Sequence, residues 1–155
     1  MIKVNIPGRG DYVIEKLLLD YNGTIALDGS LLPGVGERIT RLAENLEITL
    51  VTADTHGTAA KNCEGLPIKV LTYPTEHVAE IKADVARGLG GGVICVGNGY
   101  NDMLMADEAM LSVAVMGTEG CCAALLTHCD IAVTSILDAL DLLIFPDRLR
   151  ATLRA

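Results

Sequence analysis

Tryptophan is absent from this sequence, and aromatic residues make up only 3% of it. A core must therefore be built from aliphatic side chains. Basic residues are also scarce, with 12 Lys and Arg against 20 Asp and Glu, a formal charge of −8. Such a chain repels phosphate polymers and anionic lipid, so nucleic acid and membrane surfaces are not expected partners. No apolar run approaches the ~18 residues of a membrane span, and no charged-then-apolar leader opens the chain. The expectation is a soluble, cytoplasmic protein. No internal repeat, long charge run or low-complexity tract interrupts it.

Cysteine is present, but without the paired spacing of a closed zinc site. The five residues, Cys63, Cys95, Cys121, Cys122 and Cys129, are odd in number and scattered. Reduced thiols in a reducing compartment are one reading. A soft metal on Cys121, Cys122, His128 and Cys129 is the other.

What is there is aliphatic and glycine-rich. Half of the 155 residues are apolar and 16 are glycine, which suits a parallel sheet with closely packed helices. The length fits one domain over residues 1–155. Residues 1–15 read as a two-stranded segment, Ile2–Ile6 and Tyr12–Glu15, around the turn Pro7-Gly8-Arg9-Gly10. Lys16–Tyr21 is a short apolar run halted by Asn22-Gly23. Val35, Ile39, Leu42 and Leu46 recur at helical spacing after Pro33, and Glu47–Thr52 is a β-branched strand. A short helix is expected from Thr55 towards Cys63, a strand at Ile68–Leu71, and a helix striped by Val78, Ile81, Val85 and Leu89. Val93–Val96 is a buried strand, Asp102–Ala109 a helix and Leu111–Val115 a strand. Thr118–Thr127 reads as a helix, Ile131–Val133 as a short strand and Ser135–Ile144 as the last helix.

This alternation predicts an α/β fold of three layers, a Rossmann-like parallel sheet with helices on both faces. In such sheets chemistry gathers at the carboxyl ends of strands. Three loops there carry reactive groups. Asp20-Tyr21-Asn22-Gly23-Thr24 places a carboxylate, able to act as a nucleophile or hold a cation, beside a glycine that lets backbone N–H groups approach an anion. Thr52 offers a hydroxyl, and Ala53 an N–H, to a phosphate oxygen. Gly97-Asn98-Gly99-Tyr100-Asn101-Asp102 brings a further carboxylate between flexible glycines. Each alone is also an ordinary turn or helix cap. In this order, at three strand ends, they form a constellation that turns and caps explain poorly.

That constellation resembles the haloacid dehalogenase (HAD) superfamily. The first motif, Asp-x-(Asp/Thr/Asn)-Gly-(Thr/Val), is matched by Asp20 to Thr24, and the strand-end Ser or Thr by Thr52. The fourth, Gly-Asp-Gly-x-x-Asp, is matched by Gly97 to Asp102, with Asn98 in place of the first Asp. The likeness is sharper to the phosphorylation domain of P-type ATPases, through Thr52-Ala53-Asp54, through GNGYND, and through the alanine-rich stretch from Met103 to Val133. It covers residues 16–155 and is similar to small soluble P-type-ATPase-like proteins.

The resemblance implies a Mg²⁺-dependent phosphohydrolase acting on a phosphorylated small molecule or phosphoprotein. Asp20 would be the nucleophile that becomes an aspartyl-phosphate, and Thr52 would orient the phosphoryl oxygens. Gly23, Thr24 and Ala53 would join Thr52 in binding phosphate. Asp20, the backbone carbonyl of Asn22, Asn98 and Asp102 would hold the Mg²⁺. The lysine of the third motif would be Lys82, or His77 would replace it, since Pro74-Thr75-Glu76-His77 resembles the ATPases' Pro-x-x-Lys.

Two departures stand out. Asn22 occupies the place of the phosphatases' proton-exchanging Asp, so acid–base help of ~10²–10⁴-fold should be missing and turnover slow. Asn98 offers a neutral oxygen where a hard cation prefers a carboxylate. A non-catalytic phosphate- or nucleotide-binding module of the same fold is therefore the alternative. Residues 25–51 (27 in all) and 53–81 (29 in all) leave no room for a cap domain. The open site and apolar composition then suggest a homo-oligomer.

Overall fold

The first two apolar runs pair with each other before the main sheet begins. In a computed structural model, which describes residues 1–54 and 57–155, β1 (Ile2–Ile6) and β2 (Gly10–Ile14) form an antiparallel hairpin with Ile2 opposite Ile14. The chain then enters β3 (Lys16–Leu19), whose three leucines are fully buried. A second hairpin follows, β4 (Ala26–Leu27) and β5 (Ser30–Leu31), which the sequence reading did not separate from loop. Its turn is Asp28-Gly29, both at positive φ, the backbone that a tight hairpin turn requires.

Helix α1 (Val35–Leu42) buries Val35, Ile39 and Leu42, the expected stripe. Next come β6 (Glu47–Thr52), α2 (Thr58–Asn62), β7 (Lys69–Thr72) and α3 (Val78–Leu89). The expected start of α2 at Thr55 lies outside the described residues. β8 (Val93–Gly97) leads through a 3-10 turn, Tyr100–Asp102, into α4 (Met103–Glu108), and β9 (Leu111–Val115) follows. The helix expected over Thr118–Thr127 is shorter: only Ala123–Thr127 winds, as a 3-10 helix. The preceding Gly117–Gly120 stretch is a turn, where glycines disfavour helix. β10 (Ile131–Val133) and α5 (Ile136–Ile144) match expectation, while α6 (Pro146–Leu153) was not foreseen.

The six parallel strands are ordered β10-β9-β8-β3-β6-β7. Alternation along them sorts side chains to two faces. Leu17, Leu19, Ile94 and Val96 join the core under α1 and α5, whereas Leu18, Val93 and Cys95 pack with Ala86 of α3 and Met105 of α4. The chain builds outward from β3 to one side, then returns to build the other. That reversal places a crevice at the carboxyl end of β3. Between β3 and β6 lie only the small hairpin and α1. No helix among the described residues is long and apolar enough to cross a membrane.

Candidate active site

β3 lies between β8 and β6, so Asp20, Thr52 and the loop after Gly97 open on one edge of the sheet. Register carries this to the residue. Leu19 pairs with Leu50 on one side and Val96 on the other, and the Asp20 N–H donates to the Val96 carbonyl at 3.0 Å. Asp20 is thus fixed by backbone at the strand end, 7% exposed. An open cleft of about 380 Å³ lies above it, lined by Asp20, Asn22, Thr52, Ala53, Lys82, Asn98 and residues 99–101, with Glu119 at one wall.

Lys82 enters this cleft from α3. Its Nζ stands 2.6 Å from Asp20 Oδ1, 2.7 Å from Asp102 Oδ1 and 3.2 Å from Asn101 Oδ1. The residue is 1% exposed, as deeply buried as Ala86 of the same helix. The stripe of Val78, Ile81, Val85 and Leu89 is only half-buried, because the small Ala83 and Ala86 make the close contact and turn Lys82 inward. Of the two candidates for the third-motif cation, it is Lys82 that the fold brings to Asp20. His77 is exposed at the head of α3 with φ 58°.

Charge balance here is tight. Burial and the Asp102 charge push the Asp20 carboxyl up to about 6, against the pull of Lys82. Burial alone would lower the Lys82 ammonium, but the two carboxylates outweigh it and raise it. Asp102 is spent on the architecture of the loop. Its Oδ2 accepts the N–H groups of Asn98 (3.0 Å) and Gly99 (2.9 Å), and its Oδ1 faces Lys82. A Cβ on Gly97 would stand 2.4 Å from Asp102 Oδ2, so only glycine fits there. Both Asp102 oxygens are thus engaged, one by Lys82 and the other by the loop backbone.

Thr24 differs from expectation. It is fully buried, with Oγ1 3.1 Å from Asp20 Oδ2 and 3.2 Å from Asn98 Oδ1. Its one hydroxyl proton orients these two oxygens rather than reaching the cleft. Gly23, at φ 78°, lies beneath Asn98, and a Cβ there would come within 2.2 Å of Asn98 Nδ2. Thr52 is 3% exposed and accepts the Asp54 N–H at 3.1 Å. Asp54 takes the Ala59 N–H (2.6 Å) and the Thr58 hydroxyl (3.1 Å), which steadies the head of α2.

Asp20, Asn22 and Asn98 line the cleft, and Asp20 Oδ2, the Asn22 carbonyl and Asn98 Oδ1 would be the oxygens to hold a hard cation, a chemically suitable but carboxylate-poor set. Among the described residues no three His, Cys, Asp or Glu side chains gather as a metal site. This includes the soft-metal reading of Cys121, Cys122, His128 and Cys129. His128 Nδ1 pairs with Asp107 Oδ1 at 2.8 Å, and burial pushes the Cys129 thiol up to about 11. Glu119 was missed. It follows β9, a fourth strand end, and the rule that chemistry collects at strand ends would have pointed to it.

Comparisons with known proteins agree with the fold. No protein-family model matches the chain. It is 45% identical over 62 residues to an uncharacterised protein of Methanocaldococcus jannaschii, covering 40% of this chain and 67% of that one. The structure is similar to 3-deoxy-D-manno-octulosonate 8-phosphate phosphatase of Moraxella catarrhalis, solved with magnesium, phosphate and KDO. The TM-score is 0.70 at 14% identity, covering 91% of this chain and 94% of that one. The cobalt-bound deoxy-D-mannose-octulosonate 8-phosphate phosphatase from Haemophilus influenzae gives a TM-score of 0.68 at 13% identity, over 84% of this chain and 87% of that one. The chain therefore shares its α/β fold with these two solved phosphatases.

Proposed function

We propose that this chain, on its haloacid dehalogenase fold, is a phosphohydrolase that carries the phosphoryl group on Asp20. The observation that supports this most is the single carboxylate at the end of the central strand, ion-paired to buried Lys82 and set in the floor of an open cleft. The solved structures of similar fold include phosphatases. An Asp20 carboxylate oxygen attacks phosphorus, the ester P–O bond breaks, and the leaving oxygen takes a proton from water. Water then attacks phosphorus, the Asp20–phosphorus bond breaks, and phosphate leaves. Lys82 offsets charge on Asp20 throughout, while the Thr52 hydroxyl and the Ala53 N–H face the phosphoryl oxygens. Bound by Asp20, the Asn22 carbonyl and Asn98, Mg²⁺ would neutralise charge on the transferring group.

Asn22 can neither give nor take a proton, so the second step should lag the first. Acetyl phosphate, whose leaving group needs little protonation, tests this. The wild type should form an adduct that borohydride traps on Asp20, and Asp20→Asn should form none. Asn22→Asp should speed adduct breakdown by up to ~10²-fold. An adduct elsewhere would show the assignment to be wrong. The same Asn22 favours a second reading, a phosphate- or nucleotide-binding module without turnover. Specific binding of a phosphorylated ligand with no Asp20 adduct from any donor would establish it. The chain is further proposed to act in the cytoplasm on a phosphorylated small molecule or phosphoprotein.

A further inference from the structure

A carboxylate outside the three motif-bearing loops reaches the same cleft. After β9 the chain turns through Gly117–Gly120, closed by the Gly120 N–H donating to the Gly117 carbonyl at 3.0 Å. Glu119 sits at the corner of this turn and lines the cleft with Asp20, Asn22 and Asn98. Its carboxyl carbon lies 2.8 Å from the point a Cβ on Gly23 would occupy, and Asn98 Cγ lies 2.8 Å from that same point. The two side chains thus meet over Gly23. Among the described residues no hydrogen bond or ion pair engages the Glu119 carboxylate.

The turn that carries Glu119 is tied to Asn98 from two directions. Asn98 Nδ2 donates to the Gly120 carbonyl at 3.0 Å, and the Cys122 N–H donates to the Asn98 carbonyl at 2.8 Å. A carboxylate at position 98 would offer no proton to the Gly120 carbonyl and would face it with like charge. The amide at 98 and the carboxylate at 119 are therefore coupled. Charge points the same way. Asp20 and Asp102 against Lys82 leave one net negative charge at the site. Glu119 makes it two, the complement of a divalent cation.

We propose that Glu119 supplies the second carboxylate of the cation site beside Asp20, and that Asn98 is the positioning residue that holds the Glu119 turn. This rests on the reading that the cleft holds a divalent cation for phosphoryl transfer. Asp102 is unsuited to that place because Lys82 and two backbone N–H groups already engage it.

Mn²⁺ binding by the full chain, followed by electron paramagnetic resonance of the free ion, tests the proposal without reference to turnover. Glu119→Gln should raise the Mn²⁺ Kd by about tenfold or more, since charge count tunes affinity at such sites. Glu119→Asp, which keeps the charge on a shorter arm, should recover part of the loss. In an Asn98→Asp background, where position 98 carries a carboxylate itself, Glu119→Gln should cost much less. Glu119 is exposed, so the variants should keep the wild-type Tm without metal, which separates lost binding from lost folding. An unchanged Kd in Glu119→Gln would overturn the proposal, as would a wild type that binds no Mn²⁺ at millimolar concentration. An equal loss in both backgrounds would overturn the coupling to Asn98. The acetyl phosphate adduct on Asp20 is scored separately. If it is absent while Mn²⁺ binding depends on Glu119, the phosphohydrolase reading falls and the cation site stands.

Discussion

The buried Asp20 carboxylate is costly even with Lys82 beside it, because burial and the Asp102 charge both oppose its ionisation. The folded-state Asp20 value of about 6 exceeds the ordinary carboxyl value of 3.8, so the unfolded chain releases this proton first. Stability from this group is present below pH ~4 and is lost as pH rises towards 6. Asp20→Asn removes that cost while Lys82 keeps Asp102 as partner. At pH 7 its Tm should exceed that of the wild type by roughly 3–6 °C, and the gap should close by pH 4. Scanning calorimetry at the two pH values measures it; a gap that widens on acidification would reverse the assigned sign. Lys82→Met should do the opposite. It strands two buried carboxylates and should destabilise by about 3–5 kcal/mol at pH 7. Part of that loss should return on acidification, when the Asp20 carboxyl protonates, and urea unfolding at pH 5 and pH 7 checks this.

At the scale of elements, the loop after β8 depends on how close Asp102 comes to the strand it follows. Gly97→Ala places a Cβ against the Asp102 carboxylate, at 2.4 Å from Oδ2, and that carboxylate is held by three hydrogen bonds. The expected cost is about 1–3 kcal/mol of stability, read as a lower urea midpoint with unchanged slope. A neutral result would mean that the loop yields without losing its contacts. Helix α3 shows why helical spacing alone misjudges a face. Its aliphatic stripe read as the buried one, yet alanines make the tightest approach to the sheet and Lys82 follows them inward. The stretch after β9 shows the converse. Alanine content from Ala123 onward suggested a longer helix, while Gly117 and Gly120 set a turn that is hydrogen-bonded to Asn98.

Across the whole molecule, the cleft is open and the sheet ends in β7 and β10, each paired on one side only. Phosphoryl transfer on an open floor benefits from something that excludes water, either a neighbouring subunit or a large substrate. We expect self-association at micromolar concentration, seen in light scattering as a mass above that of one chain. A strict monomer would leave the substrate as the cover. The alternation of apolar strands with striped helices, the three strand-end motifs and the missing cap were legible in the sequence, because periodicity, turn residues and loop length are local properties. The sequence alone thus determined the α/β class and singled out Asp20, Thr52 and Asp102. Only the tertiary structure decided that Lys82 rather than His77 meets Asp20, that Asp102 is consumed in holding its loop, and that Glu119 joins the cleft. Those outcomes depend on strand order and on which helix face can approach a sheet most closely, and both are settled by packing between residues far apart in the chain.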